Sequence, residues 1–471
     1  MIETIESTLY PLVAQFNEYL SNYILVFMLI GVGIWYTIKT KFVQVRCFKE
    51  GLQKMFGRSS NDKEHHGNMT PFQALATAVA AQVGTGNIVG ASGAILIGGP
   101  GAIFWMWVIA FFGMATIYAE ATLAIKTRKV EDNGEIKGGP VYYITTAFKG
   151  KLGQFMARFF AVAIILALGF MGSMVQSNSI ANCMKTAFSI QPWIIGIILV
   201  VISASIFIGG VKRLAKVTEK LVPIMALFFV LGCLSIIIAR ISYIPETFSL
   251  IFKYAFQPQA ILGGGFWLAF KTALSQGVKR GLFSNEAGMG STPHAHALAT
   301  VKEPHDQGVV AMMGVFVDTF VILSLTAIVV ISTLYTSGGI LENGYNGNIV
   351  EILNKTNLVQ TAFGSVFGET IGAMFVAICL LFFAFSTILS WNLFGKINVI
   401  YLLGKKNPKY PVLIYTIIAL TFIMVGTLIS SDFVWELTDM FNNLMVIPNV
   451  ISLFALTGLV VSMTKLKNNR Y

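Results

Sequence analysis

Charge is what this sequence has least of. Asp, Glu, Lys and Arg make up 12% of its 471 residues, against roughly 25% in soluble domains, while 55% are hydrophobic and the mean hydropathy is +0.72. Such a chain is a polytopic membrane protein. Cysteine is scarce as well: Cys47, Cys183, Cys233 and Cys379 are the four, and all but the first lie in or beside apolar runs. Their spacing gives no disulfide framework. The net charge of +11 comes from short basic clusters between apolar runs, the pattern of membrane loops, so nucleic acid is not an expected partner. Residues 1–21 hold Glu3, Glu6 and Glu18 and no Lys or Arg, which argues against a cleaved signal peptide. No nucleophile–base pair or phosphate-binding loop is present, so neither an enzyme nor a primary pump is expected. His294 and His296 stand two apart, on different faces of any helix and with no third ligand nearby, which disfavours a metal site there.

What the sequence has in quantity is long apolar segments. They fall at about 22–38, 70–97, 99–125, 155–181, 192–211, 219–241, 263–301, 308–335, 360–394, 410–430 and 433–463, eleven in all. Connections 39–69, 126–158, 212–220, 302, 396–409 and 465–470 carry 26 of the 33 Lys and Arg. By the positive-inside rule these face the cytoplasm of a plasma-membrane protein, which puts the N-terminus outside and the C-terminus inside.

The second segment contains Gln82-Val83-Gly84-Thr85-Gly86-Asn87-Ile88-Val89-Gly90. Glycine in a helix interior costs about 1 kcal/mol relative to alanine, so three of them predict a break. Broken backbone survives at membrane depth only when covered by protein or lining a cavity. The carbonyls of the half ending there suit a cation, and the N–H groups of the half beginning there suit an anion. A weaker reading is plain helix packing through Gly86 and Gly90; a dinucleotide fingerprint is weaker still, because the third glycine is one residue late and no soluble βαβ unit surrounds it. The seventh segment is too long for a simple span, and Thr272 to Gly290 repeats the order Thr-Ala, Gln, Asn-x-x-Gly seen from Thr77 to Gly90. Breaks in the second and seventh segments lie five spans apart. That spacing predicts two inverted groups of five helices with a site at the membrane midplane, preceded by one extra N-terminal helix. The corresponding divisions are 1–69, 70–241, 242–464 and a tail at 465–471.

Four runs resemble the alanine or glycine:cation symporters: Gly84-Thr85-Gly86-Asn87-Ile88-Val89-Gly90; Gly98-Gly99-Pro100-Gly101-Ala102 with Phe104-Trp105-Met106-Trp107; Gly138-Gly139-Pro140 with Tyr142-Tyr143; and Arg280 to Ser291, with its Ser284-Asn285-Glu286-Ala287-Gly288 core. Val83 to Asn87 is also similar to the unwound first core helix of leucine-transporter (LeuT)-type proteins. The resemblance covers essentially the whole chain. It implies an all-α, LeuT-like fold and sodium-coupled symport of a small neutral amino acid, alanine or glycine, with sodium as coupling ion and no organic cofactor. A proton-coupled carrier is the alternative, and a channel is disfavoured by the sparse, localised polar groups. The resemblance places Gly84, Thr85, Gly86, Gln176, Phe283, Asn285 and Trp391 around the amino acid. Ala80, Val83, Asn87, Ser386 and Thr387 would surround the sodium ion.

Each of these side chains has a plainer reading. Gln176 would serve equally as an interhelical hydrogen-bonding group, and Ser386 and Thr387 could bond back to their own helix, although a hard cation prefers such oxygens. Trp391 could be an interfacial anchor. Glu286 is read either as a cation ligand or as the neutraliser of Lys279 and Arg280, and Asp318 as a paired structural charge.

Overall fold

The computed structural model describes residues 2–56, 69–132, 136–256, 266–342, 353–404 and 408–468. It is almost wholly helical; a hairpin of two-residue strands, Lys129–Val130 with Ile136–Lys137, and an isolated parallel bridge between Met69 and Ala299 make up the strand pairing among the described residues. Six of the described helices are long and apolar enough to cross a membrane, or eight if each of two bent pairs counts as one span. Length and composition thus give six to eight crossings where the sequence segments numbered eleven; Val26–Lys39 and Pro192–Ile208 are apolar but shorter. The chain's first helix, Ile2–Tyr19, precedes them and joins Val26–Lys39 through a π-turn at Leu20–Leu25.

The first broken helix begins at a capping box. The Gln73 amide donates to Thr70 Oγ1 (3.1 Å), the Thr70 amide donates to Gln73 Oε1 (3.0 Å), and Pro71 fills the first turn where no N–H is needed. Losing that cap, as in Thr70→Ala, should cost about 1 kcal/mol. The helix runs Pro71–Gln82, leaves helical geometry at Val83 (ψ 87°), and resumes at Gly86 as a π-turn and then α-helix to Gly98, with a 44° bend between the halves.

Three expectations need correction. The break of the seventh segment is confined to the end of the Thr272–Gly290 run: helix Phe266–Asn285 continues unbroken through most of it, Phe283 included, and the break begins at Glu286, whose φ is +58°. After Gly288 and Gly290, both also at positive φ, only the four-residue helix Pro293–His296 follows. Gln82 and Gln276 are therefore not equivalent: one ends a half-helix and the other sits inside a whole one. The ninth segment is two helices, Leu358–Phe367 and Glu369–Leu403, divided at Gly368 (φ +87°), a left-handed turn that glycine adopts without steric cost. The last segment is bent by 59° between Ser431–Ala455 and Thr457–Thr464.

Helix Ala102–Thr127 is the hub. It packs against Val26–Lys39, Phe266–Asn285 and Pro304–Val315, and it is buried on nearly every face from Gly113 to Ile125. By contrast Gly210–Ala239 leaves Ile224, Leu227, Leu231 and Ile238 exposed. In lipid such a face costs nothing, because hydrocarbon tails are as apolar as leucine. Burial therefore separates a polar-lined inner bundle, which contains both breaks, from a lipid-facing frame.

Candidate binding site at the two helix breaks

Around the first break, side chains from two other segments, together with Asn87 of the broken segment itself, satisfy the backbone that the break sets free. Ser386 and Thr387 lie midway along Glu369–Leu403, facing the C-terminal end of the first half-helix. Thr387 Oγ1 donates to the Ala80 carbonyl at 2.8 Å and approaches that of Ala81 at 3.4 Å; Ser386 Oγ approaches Ala80 at 3.4 Å. Both hydroxyls also bond back to Phe383 O (2.8 and 3.1 Å). The back-bonding reading and the convergence on Ala80 are thus present together. A Cβ at Gly84 would collide with Thr387 Oγ1, so glycine is what lets the break approach this helix. Val83 is the turning residue itself, and its amide still donates to Val79 O.

Asn87 closes the break from the far side. Its Oδ1 accepts from the Gly84 amide (3.0 Å), while its Nδ2 donates to Asp318 Oδ1 (2.7 Å) and Asp318 O (3.1 Å). The Thr85 amide donates to Gln176 Oε1 at 3.1 Å, but Thr85 Oγ1 and Gln176 Nε2 are buried without any partner. Buried polar atoms left unsatisfied cost about 1–3 kcal/mol each, and here a hydroxyl and an amide donor are left so at the same break.

Gln82, which sequence reasoning did not assign to the site, joins the two breaks by donating from Nε2 to the Asn285 carbonyl at 2.7 Å. Its signal was a lone amide at the end of an apolar half-helix. Asn285 caps its own turn, with Oδ1 accepting from the Ala287 amide (3.1 Å) and Nδ2 donating to Thr319 Oγ1 (3.3 Å). Gly86 is needed for close approach, since a Cβ there would stand 2.9 Å from Ser284 Cα.

Three fully buried carboxylates surround the breaks, and none has a basic partner among the described residues. Asp318 accepts from Asn87, Ser284 Oγ (3.0 Å to each oxygen) and Thr319 Oγ1 (2.8 Å), so it is not the ion-paired structural charge read from the sequence. Glu286 accepts from Trp391 Nε1 (2.5 Å) and Ser291 Oγ. It does not neutralise Lys279 and Arg280, which pair instead with Asp439 at 2.8 and 3.2 Å. Glu120, unremarked in the sequence although it is the one carboxylate within Ala102–Thr127, accepts from the Gly288 and Gly290 amides (3.1 and 3.0 Å) and from Asn449 Nδ2 (2.6 Å). Each is thus held by neutral hydrogen-bond donors alone.

Aromatic rings wall the same volume. Phe283 and Trp391 meet edge-on with centroids 5.9 Å apart, and Trp435 lies 4.7 Å from Phe283. Above Trp435 sit the guanidinium of Arg280 (4.6 Å) and the ammonium of Lys355 (5.3 Å), the latter paired with Asp432 at 2.7 Å. The chemistry available is thus recognition and enclosure: hydroxyls and carbonyls for a cation, spare polar atoms for a zwitterion, rings for a short side chain.

Two discontinuous segments enclosing such a site define a secondary transporter of LeuT type. Solved structures agree on the fold: the transporter MhsT, crystallised with L-phenylalanine, matches with a TM-score of 0.56 at 14% identity, covering 84% of this chain and 97% of that one. The family follows from sequence. The sodium:alanine symporter family model matches residues 6–470, and the sodium/alanine symporter AgcS of Methanococcus maripaludis is 39% identical over 97% of each chain. A Bacillus subtilis relative named a probable sodium/glutamine symporter, GlnT, is 38% identical over 95% of this chain and 88% of its own. The chain belongs to the sodium:alanine symporter family, a multi-pass membrane protein whose class of activity is cation-coupled amino-acid symport rather than catalysis.

Proposed function

We propose that the protein couples entry of alanine, or a neutral amino acid of similar size, to sodium, with its N-terminus outside and its C-terminus in the cytoplasm. The observation that carries this reading is the convergence of Ser386 and Thr387 on the Ala80 carbonyl at the end of the first half-helix. Sodium takes oxygen ligands as other hard cations do, and these hydroxyls and this carbonyl are neutral oxygens beside the spare atoms of Thr85 and Gln176. A cation there lies close to where an amino-acid carboxylate would meet the Thr85 hydroxyl and the Gln176 amide. Each ion then favours the other, which is the basis of coupling. Phe283, Trp391 and Trp435 leave little length for a side chain, which favours alanine over glutamine.

The membrane potential suffices as driving force, since one charge crossing 100 mV supplies about 2.3 kcal/mol, near fiftyfold accumulation. The three buried carboxylates favour protons as the competing coupling ion. Uptake of labelled alanine into proteoliposomes decides: an imposed sodium gradient should drive accumulation, and choline with a proton gradient should not. Accumulation on the proton gradient alone would overturn sodium coupling, and stronger competition by glutamine than by alanine would overturn the substrate.

A further inference from the structure

A second cluster of ligand-type side chains lies away from the breaks, where the short helix Phe48–Phe56 packs against Pro304–Val315. Cys47 Sγ, a Glu50 carboxylate oxygen and a His305 ring nitrogen all lie within 4.8 Å of one another, and among the described residues no other three His, Cys, Asp or Glu do so. Cys47 and His305 are buried. We infer that Cys47, Glu50 and His305 form a site for a zinc-type divalent ion.

Four features support it. In a tetrahedron with ligands at 2.0–2.3 Å, donor atoms stand roughly 3.3–3.8 Å apart, and Glu50 Oε2 already stands 3.3 Å from His305 Nε2. Only a modest closure around an ion is required. The set of one thiolate, one imidazole and one carboxylate selects zinc over the sodium, magnesium or calcium that all-oxygen sites prefer. The outer partners are also in place: His305 Nδ1 stands 2.7 Å from Tyr118 Oη, which stands 2.9 Å from Thr464 Oγ1, which donates to Val460 O at 3.0 Å. With Nε2 on a metal, Nδ1 carries the proton and donates to Tyr118, so this relay fixes the tautomer as metal-bound histidines require. Lys54, 3.0 Å from Glu50 Oε1 and paired also with Asp306, holds the carboxylate so that Oε2 is the atom turned inward. Thiolate and carboxylate together balance a dication, and binding releases the Cys47 thiol proton to solvent.

Such an ion would tie the segment after the first apolar helix to the start of Pro304–Val315, with Tyr118 of the hub helix as a positioning residue. The test uses the purified full chain, freed of any affinity tag, loaded with Zn²⁺ and separately with Co²⁺. The site predicts close to one zinc per chain and, in the cobalt form, a thiolate-to-cobalt charge-transfer band. Cys183, Cys233 and Cys379 belong to no such group, so in the wild type that band already reports Cys47. Cys47→Ser should abolish the band and His305→Gln should lower zinc affinity at least tenfold. Tyr118→Phe should weaken binding about tenfold while keeping the band. Absence of stoichiometric metal and of the band from the wild type would overturn the site, as would zinc binding unchanged in a monodisperse Cys47→Ser protein.

Discussion

The two breaks look alike in sequence and differ in how they are held. The first, Val83 to Gly86, is held by the Asn87 and Gln176 amides and the Thr387 hydroxyl, and three buried polar atoms at it, Gln82 Oε1, Thr85 Oγ1 and Gln176 Nε2, have no hydrogen-bond partner. The second, Glu286 to Ser291, has its freed amides taken by Glu120 and its own carboxylate taken by Trp391 and Ser291. The first break keeps more unpaired polar atoms, whereas at the second the unpaired atom is Thr292 Oγ1 and the freed amides already have a carboxylate acceptor.

The two breaks differ most at Glu120, which serves only the second. Replacing Glu120 by Ala leaves the Gly288 and Gly290 amides without an acceptor in a buried site, a loss of about 2–6 kcal/mol, while Asn449 Nδ2 keeps its bond to the Gly288 carbonyl. Glu120→Ala should therefore collapse folding yield and the thermal midpoint. Glu120→Gln, which keeps a carbonyl acceptor, should recover part of both. Wild-type stability in Glu120→Ala would mean that the second break does not depend on this carboxylate.

At the first break the expected loss is functional. Asn87→Ala removes the acceptor for Gly84 and a donor to Asp318, and should reduce apparent sodium affinity ten- to a hundredfold, about 1.4–2.8 kcal/mol, with expression intact. Sodium-activated uptake curves measure it, and an unchanged curve would detach Asn87 from the cation.

The smallest effect concerns the rings. If Phe283 limits side-chain length, Phe283→Ala relieves an overlap of roughly 1–3 kcal/mol, so serine and valine should compete with labelled alanine about ten times better than in wild type. Alanine itself should bind more weakly as it loses van der Waals contact. Trp391→Phe would sharpen the point, since it keeps a wall and loses the bond to Glu286; it should change uptake more than selectivity. A selectivity order identical to wild type in a well-folded Phe283→Ala would remove the ring as a size limit.

The first break was legible because it depends on local composition: three glycines in an apolar run break a helix wherever they occur. So was the depth of Ser386 and Thr387. The second break was legible as a run, Thr272–Gly290, but not to the residue, because helix Phe266–Asn285 tolerates Gly277 and Gly281, which pack against Trp105 and Ile109, and because the left-handed turn at Glu286 is fixed by its distant partners. Glu120 escaped notice for the same reason. A lone carboxylate in an apolar helix gains meaning only when its partners, here 168 to 329 residues away, are brought beside it. The division at Gly368 was hidden by unbroken hydropathy on both sides.

In the proposed function a cation is held between Ala80 and the hydroxyls of Glu369–Leu403 and is coupled to the amino acid beside it. The most direct measurement is alanine affinity of the purified protein by calorimetry across a sodium series, for wild type, Thr387→Ser and Thr387→Val. Wild type and Thr387→Ser should bind alanine more tightly as sodium rises, and Thr387→Val, with its shape kept and its oxygen gone, should need about ten times more sodium for the same gain. Superimposable sodium dependence in Thr387→Val and wild type would contradict the account.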